Sequence, residues 1–282
     1  MNDNTSITDV EIPPSATGTD FSEYAFHLWT SKTPPIKNLA ELLRDLLTDG
    51  TLQCNSEGIK LLSIDSGITV MVHLKLYGKM FEGYKCDNPI VIGLSLDNFF
   101  KIVKNMENND TLRLFINKND MSCLGIERYN KEENIYNTIY QNLLDLEVND
   151  KTIPPTKFDS VIIMSSSRFH KICREINNFS KEIEIMCVNN QLIFRGTDAS
   201  FRQEIRIKSS DQCMKFEANE NPDEIVQGVF KLQHLVQFSK CVNLCPTIKI
   251  LLKNDYPLVV QCDVANLGNI KLCLSPIISN DE

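Results

Sequence analysis

The chain has 282 residues, 42% hydrophobic and 23% charged, which is enough apolar material for two modest globular cores. Its formal net charge of −8 excludes a surface uniformly coated by nucleic acid, because phosphate repels it. No apolar run approaches the roughly 18 residues needed to span a bilayer, so no helical membrane span and no membrane partner are expected.

Residues 1–21 are small, polar and acidic, with Pro13 and Pro14, and are expected to form a disordered tail. They have neither the basic start nor the apolar stretch of a secretion signal. A first strand is predicted from Phe26 to Thr30. Pro34 and Pro35 then open a helix, with Pro35 at its first position, and Ile36, Leu39, Ala40, Leu43, Leu46 and Leu47 form its apolar face. Strict alternation at Val70, Val72, Leu74 and Leu76 predicts a half-buried strand. Helical spacing returns at Leu96, Phe99, Phe100 and Val103, at Phe169, Ile172, Cys173 and Ile176, and at Leu232, Leu235 and Val236. Further strands are predicted around Ile183, Ile185 and Cys187, around Ile248 and Ile250, and around Leu258, Val260 and Cys262. Asn189-Asn190 and Asn254-Asp255 fit tight turns between strand pairs. The result is an α+β chain, rich in strands, with four lone helices and no regular β-α-β alternation.

A weak repeat relates Phe99-Phe100-Lys101-Ile102-Val103-Lys104 to Phe169-His170-Lys171-Ile172-Cys173-Arg174. Two halves of similar build are therefore expected. The polar, proline-containing segment DLEVNDKTIPPTK, residues 145–157, is the joint between them.

The ten cysteines, Cys54, Cys86, Cys123, Cys173, Cys187, Cys213, Cys241, Cys245, Cys262 and Cys273, are scattered and contain no C-x-x-C. His27, His73, His170 and His234 pair with none of them in sequence, so no metal site and no cofactor are expected. The thiols are expected to be reduced core residues of a reducing compartment. There is no Gly-rich phosphate loop, G-x-S-x-G elbow or H-E-x-x-H. Asp65-Ser66 with His73 is a poor catalytic set, because His73 simply occupies one face of a strand. No catalytic residue is assigned and no enzyme is expected.

Charge is distributed unevenly. Lys37 and Arg44 share a face of the first helix with Glu41 between them, Lys101 and Lys104 mark the second, Lys171 and Arg174 the third, and Lys231, His234 and Lys240 the fourth. If the helices lie side by side, these bases form one positive stripe suited to phosphate contact. The stripe has no aromatic residues for stacking single-stranded bases and belongs to no base-reading motif. Contact with the duplex backbone, without sequence readout, follows. A protein-interaction scaffold that never surrounds DNA is the rival reading.

Three motifs carry a family resemblance. Ser56-Glu57-Gly58-Ile59-Lys60-Leu61-Leu62-Ser63-Ile64-Asp65-Ser66 resembles the S-x-G-h-x-L-x-x-h-D-S strand (h apolar) of proliferating cell nuclear antigen (PCNA). Phe81-Glu82-Gly83-Tyr84-Lys85-Cys86-Asp87 resembles that family's F-x-x-Y-x-C-D, and Leu258-Val259-Val260 with Leu274-Ser275-Pro276 resembles its C-terminal segments. The resemblance runs without a gap over about 36–110, then covers about 142–195 and 230–278. It implies the DNA clamp fold: two similar domains, at 22–144 and 158–278, with sheets outside and four helices lining the hole of a ring. Residues 279–282 are left as a short acidic tail.

The resemblance also implies sites and partners. The bases facing the hole would be Lys37, Arg44, Lys101, Lys104, Lys171, Arg174 and Lys240, around double-stranded DNA. A pocket under the connector would be formed by Ile64, Met71, Val148, Ile153, Pro154, Pro257, Leu274, Ser275 and Pro276. It would take a DNA polymerase and other partners through a motif with a Gln, an aliphatic residue and two aromatics, and a clamp loader is a further partner. Cys273 and Thr69 depart from the family's usual aromatic residue and Val there. The subunit interface of a homotrimer would use the edges Ile135–Gln141 and Arg202–Ser209, through Ile135, Tyr136, Ile139, Tyr140, Ile205 and Ile207. A monomeric clamp-like factor and a subunit of a mixed checkpoint-type ring remain alternatives. The expected location is the nucleus, or a cytoplasmic replication site if the chain is viral.

Overall fold

In the computed structural model, residues 21–65, 67–147, 156–210, 214–219 and 221–277 are described. Period-two stretches become strands and the four 3.6-period stretches become helices. The first half runs β1 (Tyr24–Thr30), α1 (Thr33–Leu46), β2 (Asp49–Asn55), β3 (Gly58–Ile64), β4 (Val70–Tyr77), β5 (Gly83–Lys85), β6 (Ile90–Ser95), α2 (Leu96–Val103), β7 (Asp110–Asn117), β8 (Asp120–Asn130) and β9 (Ile135–Asn142). The second runs β10 (Ser160–Ser165), α3 (Ser166–Ile176), β11 (Glu182–Val188), β12 (Gln191–Thr197), β13 (Arg202–Lys208), β14 (Met214–Asn219), β15 (Val226–Lys231), α4 (Leu232–Phe238), β16 (Thr247–Leu252), β17 (Leu258–Val264) and β18 (Gly268–Leu274).

The two halves share one topology. Strands β5-β1-β7-β8-β9 form a sheet whose order is matched by β14-β10-β16-β17-β18, and β6-β2-β3-β4 is matched by β15-β11-β12-β13. The halves join where β4 pairs antiparallel with β18, from Val70 opposite Leu274 to Leu76 opposite Gly268. That junction fuses two of the four sheets into one of nine strands. The weak repeat falls at equivalent places: Phe99 and Phe169 are each the fourth residue of a helix that follows directly on β6 or β10.

The helices lie in one row on the core side of the sheets. α2 packs on α1, α1 on α4 and the 3-10 turn Ser239–Asn243, and these on α3. Asn38 Nδ2 donates to the Asn243 carbonyl at 2.8 Å, and His170 Nδ1 lies 2.9 Å from Ser239 Oγ, which fixes the order of the row. Beneath it, Leu61, Val72, Leu74, Leu272 and Val260 are fully buried, while their strand neighbours face the opposite, outer side. At the β2–β3 hairpin Gly58 has φ +147°, and a Cβ there would lie 2.0 Å from the Leu76 carbonyl oxygen, so only glycine fits.

Several boundaries differ from expectation. β1 begins at Tyr24, two residues before the predicted Phe26, because pairing with β7 continues that far despite a register shift. α1 starts at Thr33, which makes Pro35 its third residue, and Leu47 follows the helix as an extended cap. α4 ends at Phe238, so Lys240 lies in the 3-10 turn rather than on the helix. Nine of the ten cysteines lie among the described residues, and all nine are free thiols. Eight of these are buried, as expected of core residues.

A buried polar cluster sits on the five-stranded sheet. Arg113 Nε donates to His27 Nε2 at 2.9 Å, and the guanidinium lies against the rings of Tyr24 and Phe115 at 5.0 and 4.8 Å. Burial, with Arg113 and Lys85 adding to it, pushes the His27 pKa down to about 4. The imidazole is therefore a neutral acceptor in the folded chain. Between pH 6.5 and 4 the unfolded chain takes up a proton that the folded one refuses, so folding stability falls as pH drops through that window. The expected loss from His27 is on the order of 2–3 kcal/mol, read from urea denaturation at stepped pH. A His27→Gln variant should show a correspondingly flatter profile across the same window.

Candidate nucleic-acid and partner interfaces

All seven expected bases fall on the helix row, in the order α2 with its C-cap (Lys101, Lys104), α1 (Lys37, Arg44), the 3-10 turn (Lys240) and α3 (Lys171, Arg174). They are not equally available. Lys37 Nζ donates to the Met106 carbonyl at 2.5 Å, and Lys101 forms an i,i+4 ion pair with Asp97 at 2.5 Å. Arg44 pairs with Asp45 at 2.9 Å and covers the Phe100 ring at 4.2 Å. Lys240 pairs with the same Asp45 and approaches Glu41 at 3.8 Å. Lys104, Lys171 and Arg174 are exposed and form no ion pair with a described residue.

Asp45 was not anticipated. Its partial burial alone would raise its pKa, but hydrogen bonds from Lys240 and Arg44 outweigh that and hold the carboxyl below its usual value. It links α1 of the first half to the turn of the second. The sequence signal was its place four residues after Glu41, on the same helix face. Arg168, exposed in the first turn of α3, is a further base; its signal was the three-residue spacing to Lys171.

The outer face of the large sheet carries an apolar row. Ile64, Met71, Cys273, Val259, Leu251 and Val161 are successive partners across β3, β4, β18, β17, β16 and β10. Pro257, Ser275 and Pro276 lie half-buried beside the middle of this row, just along the chain from Val259 and Cys273, where Ser275 N donates to the Thr69 carbonyl at 2.9 Å. Leu274 does not belong to it. Alternation turns its side chain to the core, where it is fully buried opposite Val70 and Leu258, and Cys273 takes the outward position. Burial pushes the Cys273 thiol up to about 11, with Lys271 working against it. Val148, Ile153 and Pro154 lie outside the described residues. Beside the row, Ile68 is 76% exposed at φ 52°, an unusual conformation for a β-branched residue. The Asp65 carboxylate supports that turn by accepting from Thr69 N and Val70 N, both at 2.7 Å.

β9 and β13 are two of the sheet-edge strands. β9 ends the five-stranded sheet and leaves Ile135, Tyr136, Ile139 and Tyr140 exposed, with Tyr136 stacked on Tyr129 and Tyr140 edge-on to Phe115. β13 ends the four-stranded sheet. There the expected Ile205 and Ile207 turn inward: Ile207 is buried and Ile205 packs against the core, because they fall on the apolar phase of the strand. What β13 offers a neighbour is its backbone edge, with exposed Phe201 just before it.

Two family models match the chain. The "Proliferating cell nuclear antigen, N-terminal domain" model covers residues 30–151, and the "Proliferating cell nuclear antigen, C-terminal domain" model covers 152–277. A "Probable DNA polymerase sliding clamp" of Acanthamoeba polyphaga mimivirus is 31% identical over 226 residues, 79% of this chain; the chain spans about half (48%) of that protein's length. A "Probable DNA polymerase sliding clamp 1" of Paramecium bursaria Chlorella virus 1 is 27% identical over 265 residues, 92% of this chain and 100% of the relative. Among solved structures, the crystal structure of Proliferating Cellular Nuclear Antigen from Entamoeba histolytica superposes with a TM-score of 0.82 at 23% identity, covering 90% of this chain and 100% of that one.

Asp45 restrains the positive charge of the helix row. An Asp45→Asn variant should release Lys240 and Arg44 and tighten binding to a duplex oligonucleotide about threefold at low salt, with a steeper fall on adding salt. Loss of the half-exposed pairs should cost no more than about 1 kcal/mol of stability by denaturant titration.

Proposed function

Because the chain belongs to the proliferating cell nuclear antigen family, as a divergent member with viral relatives, we propose that it is a DNA sliding clamp. It closes with two further copies into a ring around duplex DNA and keeps a DNA polymerase on its template. The observation that carries this reading is the symmetry of the edges. β9 and β13, two of the sheet-edge strands, are the topological counterparts of β18 and β4, which already pair inside the chain. Pairing β9 of one copy with β13 of the next repeats that junction between chains. Repeated head to tail, a heterologous contact of this kind closes into a ring when the rotation allows, and it covers the exposed Ile135, Tyr136, Ile139 and Tyr140.

In such a ring the helix row faces the hole. Lys104, Lys171, Arg174 and Arg168 then meet phosphates directly, while Lys37, Arg44, Lys101 and Lys240 exchange internal partners for phosphate oxygens. Contacts of this kind carry no base readout, which permits sliding. The outer apolar row receives partners through the Gln, aliphatic and twin-aromatic motif. A loader opens the ring, and no chemistry is assigned to the chain itself. The site of action is wherever its DNA is replicated, in the nucleus or a cytoplasmic viral site.

Topological binding has a direct test. A ring threaded over the end of a linear duplex should slide off again while either end stays free. Blocking both ends with a bulky protein after threading should therefore trap the ring, and blocking them beforehand should prevent threading, whereas simple surface binding would be indifferent to the ends. A Lys104→Ala, Lys171→Ala, Arg174→Ala variant should bind duplex more weakly and lower the salt slope by about three per chain.

A further inference from the structure

The outer face of the large sheet carries an unpaired basic cluster next to the apolar row. Lys60 on β3 lies directly opposite Lys75 on β4, and His73 lies directly opposite Lys271 on β18. Lys60 and Lys75 are like charges facing each other across the ladder, which destabilises a sheet, and no acid among the described residues pairs with either. Lys60 and Lys271 form no ion pair with a described residue, and Lys75 Nζ rests over the Tyr77 ring at 5.1 Å. The nearest acid in the ladder, Asp263, faces Asn269 and makes no ion pair with them. His73 Nδ1 is buried without a hydrogen-bond partner, and burial with the flanking Lys271, Lys60 and Lys75 lowers its pKa. In a chain of net charge −8, this concentration of positive charge is a local reversal.

We propose that this cluster is the acid-selecting half of the partner site. A bound peptide would seat its apolar anchors on the row around Ile64, Met71 and Cys273 and place carboxylates over Lys60, Lys75 and Lys271. The inference rests on the reading of the apolar row as a docking site. The spacing suits a single peptide: along β4, His73 and Lys75 lie two and four residues beyond Met71, about 7 and 13 Å at strand rise. The sheet itself separates the cluster from the helix row on its other side, so duplex in a central hole cannot neutralise it. An acidic peptide supplies the missing charge, and electrostatic complementarity of this kind selects among partners that share the same apolar anchors.

The test uses the full chain and two synthetic peptides that share the Gln, aliphatic and twin-aromatic anchors. One carries a run of Asp and Glu beside them, and the other carries Ser and Gln at those positions. By fluorescence anisotropy at low salt, the acidic peptide should bind about tenfold more tightly, the size expected of two or three half-exposed ion pairs acting together. A Lys60→Gln, Lys75→Gln, Lys271→Gln variant should erase that difference while still binding the neutral peptide, which also shows that it folds. Its melting temperature should rise, because the Lys60–Lys75 like-charge pair is gone. Equal binding of both peptides to the unaltered protein overturns the inference and leaves the docking site standing. Binding of neither peptide overturns both. Loss of duplex binding or a changed assembly mass in the triple variant would assign the cluster to nucleic acid or to a second copy, and would likewise overturn it.

Discussion

The architecture depends on one junction, the antiparallel pairing of β4 with β18. These strands come from opposite halves, yet they pair over seven successive positions and bury Val70, Val72, Leu74, Ile270, Leu272 and Leu274 on the side facing the helices. Left unpaired, each would be an exposed edge with open backbone donors and acceptors. Joined, they align the two halves and bring α1 against α4. The apolar row on the outer face owes its continuity to the same junction, since Met71 and Cys273 are partners across it. The pairing is also the pattern that the open edges β9 and β13 can repeat between copies.

Charge is arranged around this frame by a compromise. A row of packed helices with bases on one face repels itself, and the chain limits that repulsion internally. Asp97 holds Lys101, Asp45 holds both Arg44 and Lys240, and Lys37 is occupied by a carbonyl. These links are weak and mostly half-exposed, so phosphate can replace them at little cost. The outer cluster of Lys60, Lys75, His73 and Lys271 has no carboxylate partner among the described residues. This contrast is why it points to an external partner and why the helix row alone would not.

Much of this was legible in the sequence because it is local. The four helices followed from 3.6-residue spacing, β4 and β16–β17 from strict alternation, and the equivalence of the halves from Phe99 and Phe169, which occupy the same turn of their helices. Asn189-Asn190 was recognised as a tight turn, and both residues do adopt positive φ. What escaped was set by long-range register. Asp45 meets Lys240 from 195 residues away, and Tyr77 OH meets Asn269 Nδ2 from 192. The resemblance places Leu274 in the partner pocket and Ile205 and Ile207 in the subunit interface by position along the chain, but strand phase turns each toward the core. Nothing in the sequence brings Lys60 and Lys75 together; the β3–β4 register sets them face to face.

The most direct test of the central claim is the absolute mass of the full chain in solution, by light scattering over a concentration series at two salt levels. A ring closed by β9–β13 pairing predicts a stable mass three times that of the 32.2 kDa chain, largely independent of salt because the contact is backbone pairing and apolar burial. A monomer at every concentration would contradict it, and would recast the chain as a monomeric clamp-like factor or one subunit of a mixed ring.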